Sequence, residues 1–192
     1  MAKVKLDGLS LNSVPADWMH TILAPKCDGD DFTGGIKSVA ARVVSRAMRN
    51  YNFVASACLA ITDDGTVCNI NADTIATQLA IGTKAHKLIF LSDVDGVNIG
   101  GETAHLITDS EIEVHIADGS VTGGMQIKLE SCKDAMDAGV KRIHLINGLR
   151  EDALKKEIFE PTGPGTMLIP ESARESYENE ASAQKLVEGK TA

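Results

Sequence analysis

The chain reads as an α/β protein, a mostly parallel open sheet sandwiched by helices. Three observations predict this. From residue 53 onward, short apolar runs alternate with stretches whose apolar residues recur at helical spacing. The resulting order is strand, helix, strand, helix, helix, strand, helix, strand, and alternation of this kind builds parallel sheets covered by helices. The apolar runs end in turn-forming residues, as at Asp63-Asp64-Gly65, Ser92-Asp-Val-Asp-Gly96 and Asn147-Gly148. Finally, 192 residues with 43% hydrophobic and 24% charged side chains are an ordinary globular mixture, enough for one large domain or two small ones.

Element by element, residues 1–35 are broken by Gly8, Pro15, Pro25, Gly29, Gly34 and Gly35, and only short pieces such as 19–24 suggest a hairpin or loop. Residues 39–48 carry apolar side chains at helical spacing, and this helix ends near Asn50. Residues 53–61 form a compact apolar run that reads as a buried strand. After 67–74, a helix is expected over 75–81, capped by Asn71 or Asp73, whose side chains can accept from the free first-turn amides. Residues 87–91 read as a short buried strand. Helices follow over 109–117, stopped by Gly119, and over 127–138, stopped by Gly139, with the glycine pair at 123 and 124 at the opening of the second. A strand over 142–146, a helix over 151–159 and a last strand over 166–169 complete the pattern. Residues 171–192 turn polar and read as a solvated tail or loose helix.

Composition excludes several functions. The net charge of −8 argues against a nucleic-acid-binding surface, which normally shows as a basic excess. No apolar run approaches the ~20 residues of a membrane helix, and the start Met1-Ala-Lys-Val-Lys5 has no apolar secretory stretch. The expectation is a cytoplasmic protein. Cys27, Cys58, Cys68 and Cys132 form no C-x-x-C pair and read as buried reduced thiols. The histidines show no metal-ligand spacing, and no metal site is expected. There is no G-x-x-x-x-G-K-[ST], G-x-G-x-x-G or G-x-S-x-G.

Three segments carry the polar chemistry that remains. Asn69-Ile-Asn-Ala-Asp73 puts two amides and a carboxylate at a strand-to-helix junction. Ser92-Asp-Val-Asp-Gly-Val97 ends a buried strand. Thr122-Gly-Gly-Met-Gln-Ile-Lys128 opens a helix with paired glycines and places a lysine one turn inside. Open α/β sheets bind ligands beyond the carboxyl ends of their strands, which here means Asn69, Ser92, Asp93 and Asn147. Glycines let backbone amides approach a phosphate, a helix N-terminus favours its charge, and Lys128 adds a mobile positive charge.

These segments, with Gly139-Val-Lys-Arg-Ile-His-Leu-Ile-Asn-Gly148, Gly163-Pro-Gly-Thr-Met167, Phe32-Thr-Gly-Gly-Ile-Lys-Ser-Val39 and faintly Leu6-Asp-Gly-Leu9, closely resemble the acetylglutamate kinase branch of the amino acid kinase family over about residues 5–170. The resemblance implies phosphoryl transfer from ATP with Mg2+ to the side-chain carboxylate of N-acetyl-L-glutamate, a phosphotransferase step of arginine biosynthesis. By the same resemblance, Lys128 stabilises the transition state and Asp73 holds the catalytic lysines. Asn69 binds the acyl-amino acid. Asp93, Val94, Asp95, Gly96, Val97 and Asn98, with Ser120, Val121 and Thr122, surround the nucleotide. Residues 1–75 then correspond to a remnant of the acyl-amino-acid-binding half, 76–170 to the nucleotide-binding half and 171–192 to a polar tail; a homo-oligomer is compatible with this. Family members begin with a strand ending in K-x-G-G, then a second glycine pair and a substrate-binding arginine. Lys5-Leu-Asp-Gly8 departs from K-x-G-G, and Leu6-Asp-Gly-Leu9 aligns better with the hairpin over the substrate. An N-terminally truncated chain, weak or inactive alone, is therefore expected. The alternatives are a non-catalytic nucleotide-binding or regulatory homologue, or a kinase of the same fold for an aminoadipate-type acceptor.

Overall fold

A computed structural model describes residues 22–23, 27–28, 32–160 and 163–188. The Leu6-Asp-Gly-Leu9 match and the reading of residues 1–21 lie outside the described residues. The chain forms two compact units, Met1–Asn69 and Ile70–Ala192.

In the first unit the described elements are β1 (Ile22–Leu23), β2 (Cys27–Asp28), β3 (Thr33–Gly34), β4 (Ser38–Val39), α1 (Ala41–Asn50), β5 (Leu59–Ile61) and β6 (Val67–Asn69). The six strands make one mixed sheet in the order β2-β3-β6-β5-β1-β4. Helix α1 stops at Tyr51, whose extended backbone (φ −132°) leaves the helical region while its N–H still donates to the Ala47 carbonyl at 2.9 Å. The turn joining β5 and β6 is built as its Asp-Asp-Gly suggests. Gly65 takes φ +90°, and the Thr66 N–H donates to Thr62 Oγ1 at 2.9 Å and to Asp64 Oδ1 at 3.1 Å. The Thr62 hydroxyl, the strongest of these influences, holds the Asp64 carboxyl below its usual range.

The strand expected over 53–61 is shorter. Only Leu59–Ile61 pairs, and residues 53 and 58 are exposed. The cause is register. Leu59 lies opposite Asn69, so residue 57 would face residue 71, which is already capping a helix. The expectation of buried reduced thiols holds for Cys132, which is buried and free; Cys58 is free but exposed, and Cys68 is buried and disulfide-bonded.

The second unit begins with α2 (Ala72–Thr83). Asn71 caps it, its Oδ1 accepting from the N–H of Asp73 at 2.9 Å and of Thr74 at 3.2 Å, one of the two caps expected from the sequence. Next come β7 (Lys87–Ser92), β8 (Asn98–Ile99), β9 (Glu102–Thr103), β10 (Leu106–Thr108), α3 (Asp109–Ala117), α4 (Gly123–Asp137), β11 (Arg142–Asn147), α5 (Ala153–Phe159), β12 (Thr166–Ile169), a 3-10 turn (Glu171–Ala173) and α6 (Arg174–Glu188). The main sheet has the order β10-β12-β11-β7, with β7–β11 and β10–β12 parallel and β11–β12 antiparallel. The α/β class and its sequence of elements hold. Strands β8 to β10, which the pattern of apolar runs did not indicate, are two or three residues long, too short for a period to register.

The core lies on this sheet. Leu88 and Phe90 of β7, Ile143 and Leu145 of β11 and Leu168 of β12 pack with Ile112 of α3 and Leu129, Cys132 and Ala135 of α4. On β11, His144 Nδ1 lies 2.5 Å from Glu157 Oε1 of α5, and both side chains are about 5% exposed. Glu157 also crowds Gly163, where a side chain would have to displace its carboxylate. His144 Nε2 and Glu157 Oε2 have no hydrogen-bond partner among the described residues, so the Nδ1–Oε1 bond alone offsets the burial of the two groups. Glu157→Ala should therefore lower unfolding free energy by about 1–3 kcal/mol in denaturant titrations, because His144 loses its buried partner. Glu157→Gln, which keeps an acceptor, should cost less. Equal losses for the two variants would show that packing, not the pairing, matters at this position.

Candidate active site

The parallel register between β7 and β11 runs from Lys87 opposite Arg142 to Ser92 opposite Asn147. Both strands therefore end at the same level, where an open α/β sheet receives ligands. Past that level the chain enters the loop 93–97, which leads to Asn98 of β8. The Gly148 N–H donates to the Ser92 carbonyl at 2.8 Å, closing the gap between the two strand ends. Asp95 Oδ1 accepts from Asn147 Nδ2 at 2.8 Å, and Asp95 Oδ2 accepts from Arg150. These partners, Asn147 first and then Arg150, hold the Asp95 carboxyl below the usual carboxylate range against the opposing effect of desolvation. Gly96 takes φ +147°, and a Cβ there would lie 2.5 Å from Thr166 Oγ1, so the loop can pass Thr166 only as glycine. Val97 is buried and Asn98 starts the β8–β9 hairpin, which turns through Gly100 and Gly101 at φ +63° and +95°.

The second element of the site is α4. Its N-cap, Thr122, is extended and makes no side-chain capping bond. Gly123 and Gly124 have open space where side chains would be. First-turn amides so exposed can receive an anion. The approach segment is pinned from behind: the Ser120 N–H donates to Asp118 Oδ1 at 2.8 Å and the Val121 N–H to the His115 carbonyl at 3.0 Å. Ser120 likewise keeps the Asp118 carboxyl below its usual range.

Lys128 lies in the second turn of α4. Its Nζ is 2.6 Å from Asp73 Oδ2, in the first turn of α2, and 5.1 Å from the centroid of the Phe90 ring on β7. The lysine side chain is 16% exposed and the aspartate 37%. A carboxylate on one side and an aromatic face beneath hold the ammonium in one place. One turn further along α4, burial pushes the Cys132 thiol up to about 12, with Lys128 opposing and Asp73 adding to the shift. That thiol stays protonated at neutral pH and is no nucleophile.

Of the residues singled out from the sequence, Lys128 and Asp73 are in direct contact across 55 residues of chain. Residues 93–98 lead from the end of β7 into β8, and Phe90 of β7 underlies Lys128. Ser120, Val121 and Thr122 lead into the helix that carries Lys128. Asn69 ends β6 in the first unit, with its N–H donating to the Phe32 carbonyl at 2.6 Å and its side chain exposed. Sequence reasoning marked Asn147 only as a strand end and missed Arg150 and Thr166. The Asn-Gly turn and the Gly-Pro-Gly-Thr run were the available signals.

The sequence pattern of the amino acid kinase family matches residues 2–147. Acetylglutamate kinase from Halothermothrix orenii is 38% identical over 142 residues, covering 72% of this chain and 49% of that protein. Acetylglutamate kinase from Chlorobium limicola is 32% identical over 171 residues, covering 89% and 56%. Among solved structures, smu.665 from Streptococcus mutans UA159 has a TM-score of 0.67 at 27% identity, covering 84% of this chain and 62% of that one. The N-acetylglutamate synthase of Neisseria gonorrhoeae shares the fold, with a TM-score of 0.72 at 23% identity over 79% of this chain and 37% of that one. An α/β sheet with an open helix N-terminus and a paired lysine at one end is therefore found in a chain that belongs to the amino acid kinase family. It spans about half the length of the curated relatives it matches, 49% and 56% for these two.

The Asp95 brace has a pH signature. A carboxyl held below its ordinary value contributes stability that is present above the unfolded value, about 3.9, and lost as pH falls through the lower folded value. The Asn147 side-chain amide resonances should therefore stay constant from neutral pH down to about 4 and shift only below it. A midpoint well above 4 would show that Asp95 is not held as described.

Proposed function

We propose that this chain carries the MgATP-binding part of a phosphotransferase whose acceptor is a carboxylate, the side-chain carboxylate of N-acetyl-L-glutamate, in arginine biosynthesis. The observation that carries the reading is Lys128, fixed between Asp73 and Phe90 inside a helix whose glycine N-terminus is open. Its counterparts in kind are the acetylglutamate kinases it resembles over most of its length.

The physics supports this assignment. A phosphoryl group in transfer spreads negative charge over three oxygens, and catalysis consists largely of positioning and of cations already aimed at that charge. In the reaction, an acceptor carboxylate oxygen forms a bond to the γ-phosphorus, the bond from that phosphorus to the bridging oxygen breaks, and ADP leaves with the electron pair. Lys128 supplies positive charge at the transferring group. Asp73 keeps the ammonium in place without a flexible search. The α4 amides take the phosphates, and segment 93–98 with residues 120–122 surrounds the rest of the nucleotide. Among the described residues no three His, Cys, Asp or Glu converge on a point. Mg2+ would arrive on the ATP phosphates, keeping most of its waters, as is usual for this ion. No described helix is long and apolar enough to cross a membrane.

Two outcomes test the reading. MgATP should bind the folded chain in titration calorimetry, and Lys128→Ala should weaken MgATP by about ten- to a hundredfold, the loss of one charge-assisted bond. MgADP, lacking the γ-phosphate, should lose much less. A folded sample that takes up no MgATP at millimolar concentration refutes the assignment. With N-acetyl-L-glutamate and MgATP, trapping of the acyl phosphate as its hydroxamate by these 192 residues should be slight, because no K-x-G-G occurs among them. Turnover in the ordinary kinase range of about 1–100 s−1 would contradict this second expectation and direct attention to Lys5.

A further inference from the structure

Thr166 is the first residue of β12 and is fully buried. The resemblance set out above includes its Gly-Pro-Gly-Thr run without giving Thr166 a role, yet its hydroxyl is bonded to the proposed nucleotide loop. Oγ1 accepts the Val97 N–H at 2.8 Å and donates to the Ala104 carbonyl at 2.6 Å. The Ala104 N–H donates in turn to the Val97 carbonyl at 2.9 Å. The result is a closed ring: both backbone groups of Val97 are satisfied, one of them by a side chain that stands where a neighbouring strand would otherwise supply a carbonyl. Gly96 presses its Cα side directly against the same hydroxyl, with a φ of +147° that side chains rarely adopt.

Along the chain the ring follows Gly96 and the Asp95 brace precedes it. Asp95 is held by Asn147, at the end of β11, and Val97 by Thr166, at the start of β12, and in the sheet Leu145 of β11 lies opposite Thr166. The two holds differ in kind. Asp95 and Arg150 are well exposed, 39% and 56%, and an exposed pair contributes little. Thr166 and Val97 are fully buried, and a buried amide left without a partner is costly. Beside the part-buried Asn147–Asp95 bond, the Thr166 hydroxyl is thus the fully buried hold on the loop between β7 and β8.

We propose that Thr166 is a positioning residue for MgATP. It touches neither nucleotide nor acceptor, and it holds the Gly96–Val97 backbone in the conformation the nucleotide meets. The inference rests on the nucleotide-binding reading above. Binding to a loop already ordered avoids the entropy of ordering it, so loss of the hydroxyl should appear as lost affinity. Its backbone pairing in β12 does not involve the hydroxyl, so the sheet should survive.

The test compares the full chain with Thr166→Val, which keeps the shape and removes both bonds, and Thr166→Ser, which keeps the hydroxyl. Folding is checked by circular dichroism and affinity by MgATP titration calorimetry. Thr166→Val should bind MgATP about tenfold more weakly, the effect of about one hydrogen bond, and Thr166→Ser should stay within about twofold of wild type on the same scale. Val97 amide exchange should be slow in the unliganded wild type and should speed up in Thr166→Val. Wild-type affinity in a folded Thr166→Val overturns the proposal while leaving the nucleotide reading intact. So does a Thr166→Ser as weak as Thr166→Val, because bulk and not the hydroxyl would then be at work. Absence of MgATP binding by the wild type removes both. Should Thr166→Val not fold, the wild type decides: an amide at Val97 that exchanges fast until MgATP is added shows a loop ordered by the ligand, and the positioning role fails.

Discussion

The parallel pairing of Lys87–Ser92 with Arg142–Asn147 is the constraint on which the rest of the site depends. Six residues in continuous register bring two strand ends to one level, 55 residues apart in sequence from Ser92 to Asn147. From that alignment come the Gly148-to-Ser92 bond, the reach of Asn147 to Asp95, and the position of Phe90 under the Lys128 ammonium. A slip of one residue would turn every side chain of β7 to the opposite face, sending Phe90 away from the helices and Leu91 into them. The alternating burial of β7, with Leu88 and Phe90 inside, opposes such a slip.

The helices then turn this frame into electrostatics. α2 presents Asp73 in its first turn, favoured there by the helix dipole and reinforced by the Asn71 cap. α4 presents an uncapped N-terminus and, a turn further in, Lys128. The ion pair between them has one partner only 16% exposed, so breaking it would leave a charge poorly served by water. In the proposed reaction an ammonium held in this way would meet a phosphate with little reorganisation, the condition under which fixed charges assist group transfer most.

Much of this was legible in the sequence, for definite reasons. β7, β11, β12, α3 and the Asn71 cap follow from apolar period and from residues whose side chains do one thing at a helix end. The paired glycines at 123 and 124 suggested phosphate chemistry, and the open space beside them agrees. Other features depend on tertiary placement that no local pattern records. The Lys128–Asp73 contact spans 55 residues and was expected only from the family resemblance. The run 53–58 is apolar enough for a strand, but on the β6 side the register would set it against residues beyond Asn69, where α2 begins. Thr166 is a β-branched residue in a strand and reads as nothing more until Val97 is found against it. Strands of two residues, such as β8 and β9, are created by their hairpin glycines and have no period of their own.

In the proposed function Lys128 faces the phosphate end of bound ATP. An ATP acyl-phosphate reagent transfers its acyl group to lysines lying beside the terminal phosphates, and peptide mass spectrometry identifies them. Lys128 should be the principal site, and excess MgATP should protect it. Labelling spread over surface lysines such as Lys133 and Lys155, with Lys128 unmodified or unprotected by MgATP, would contradict the account.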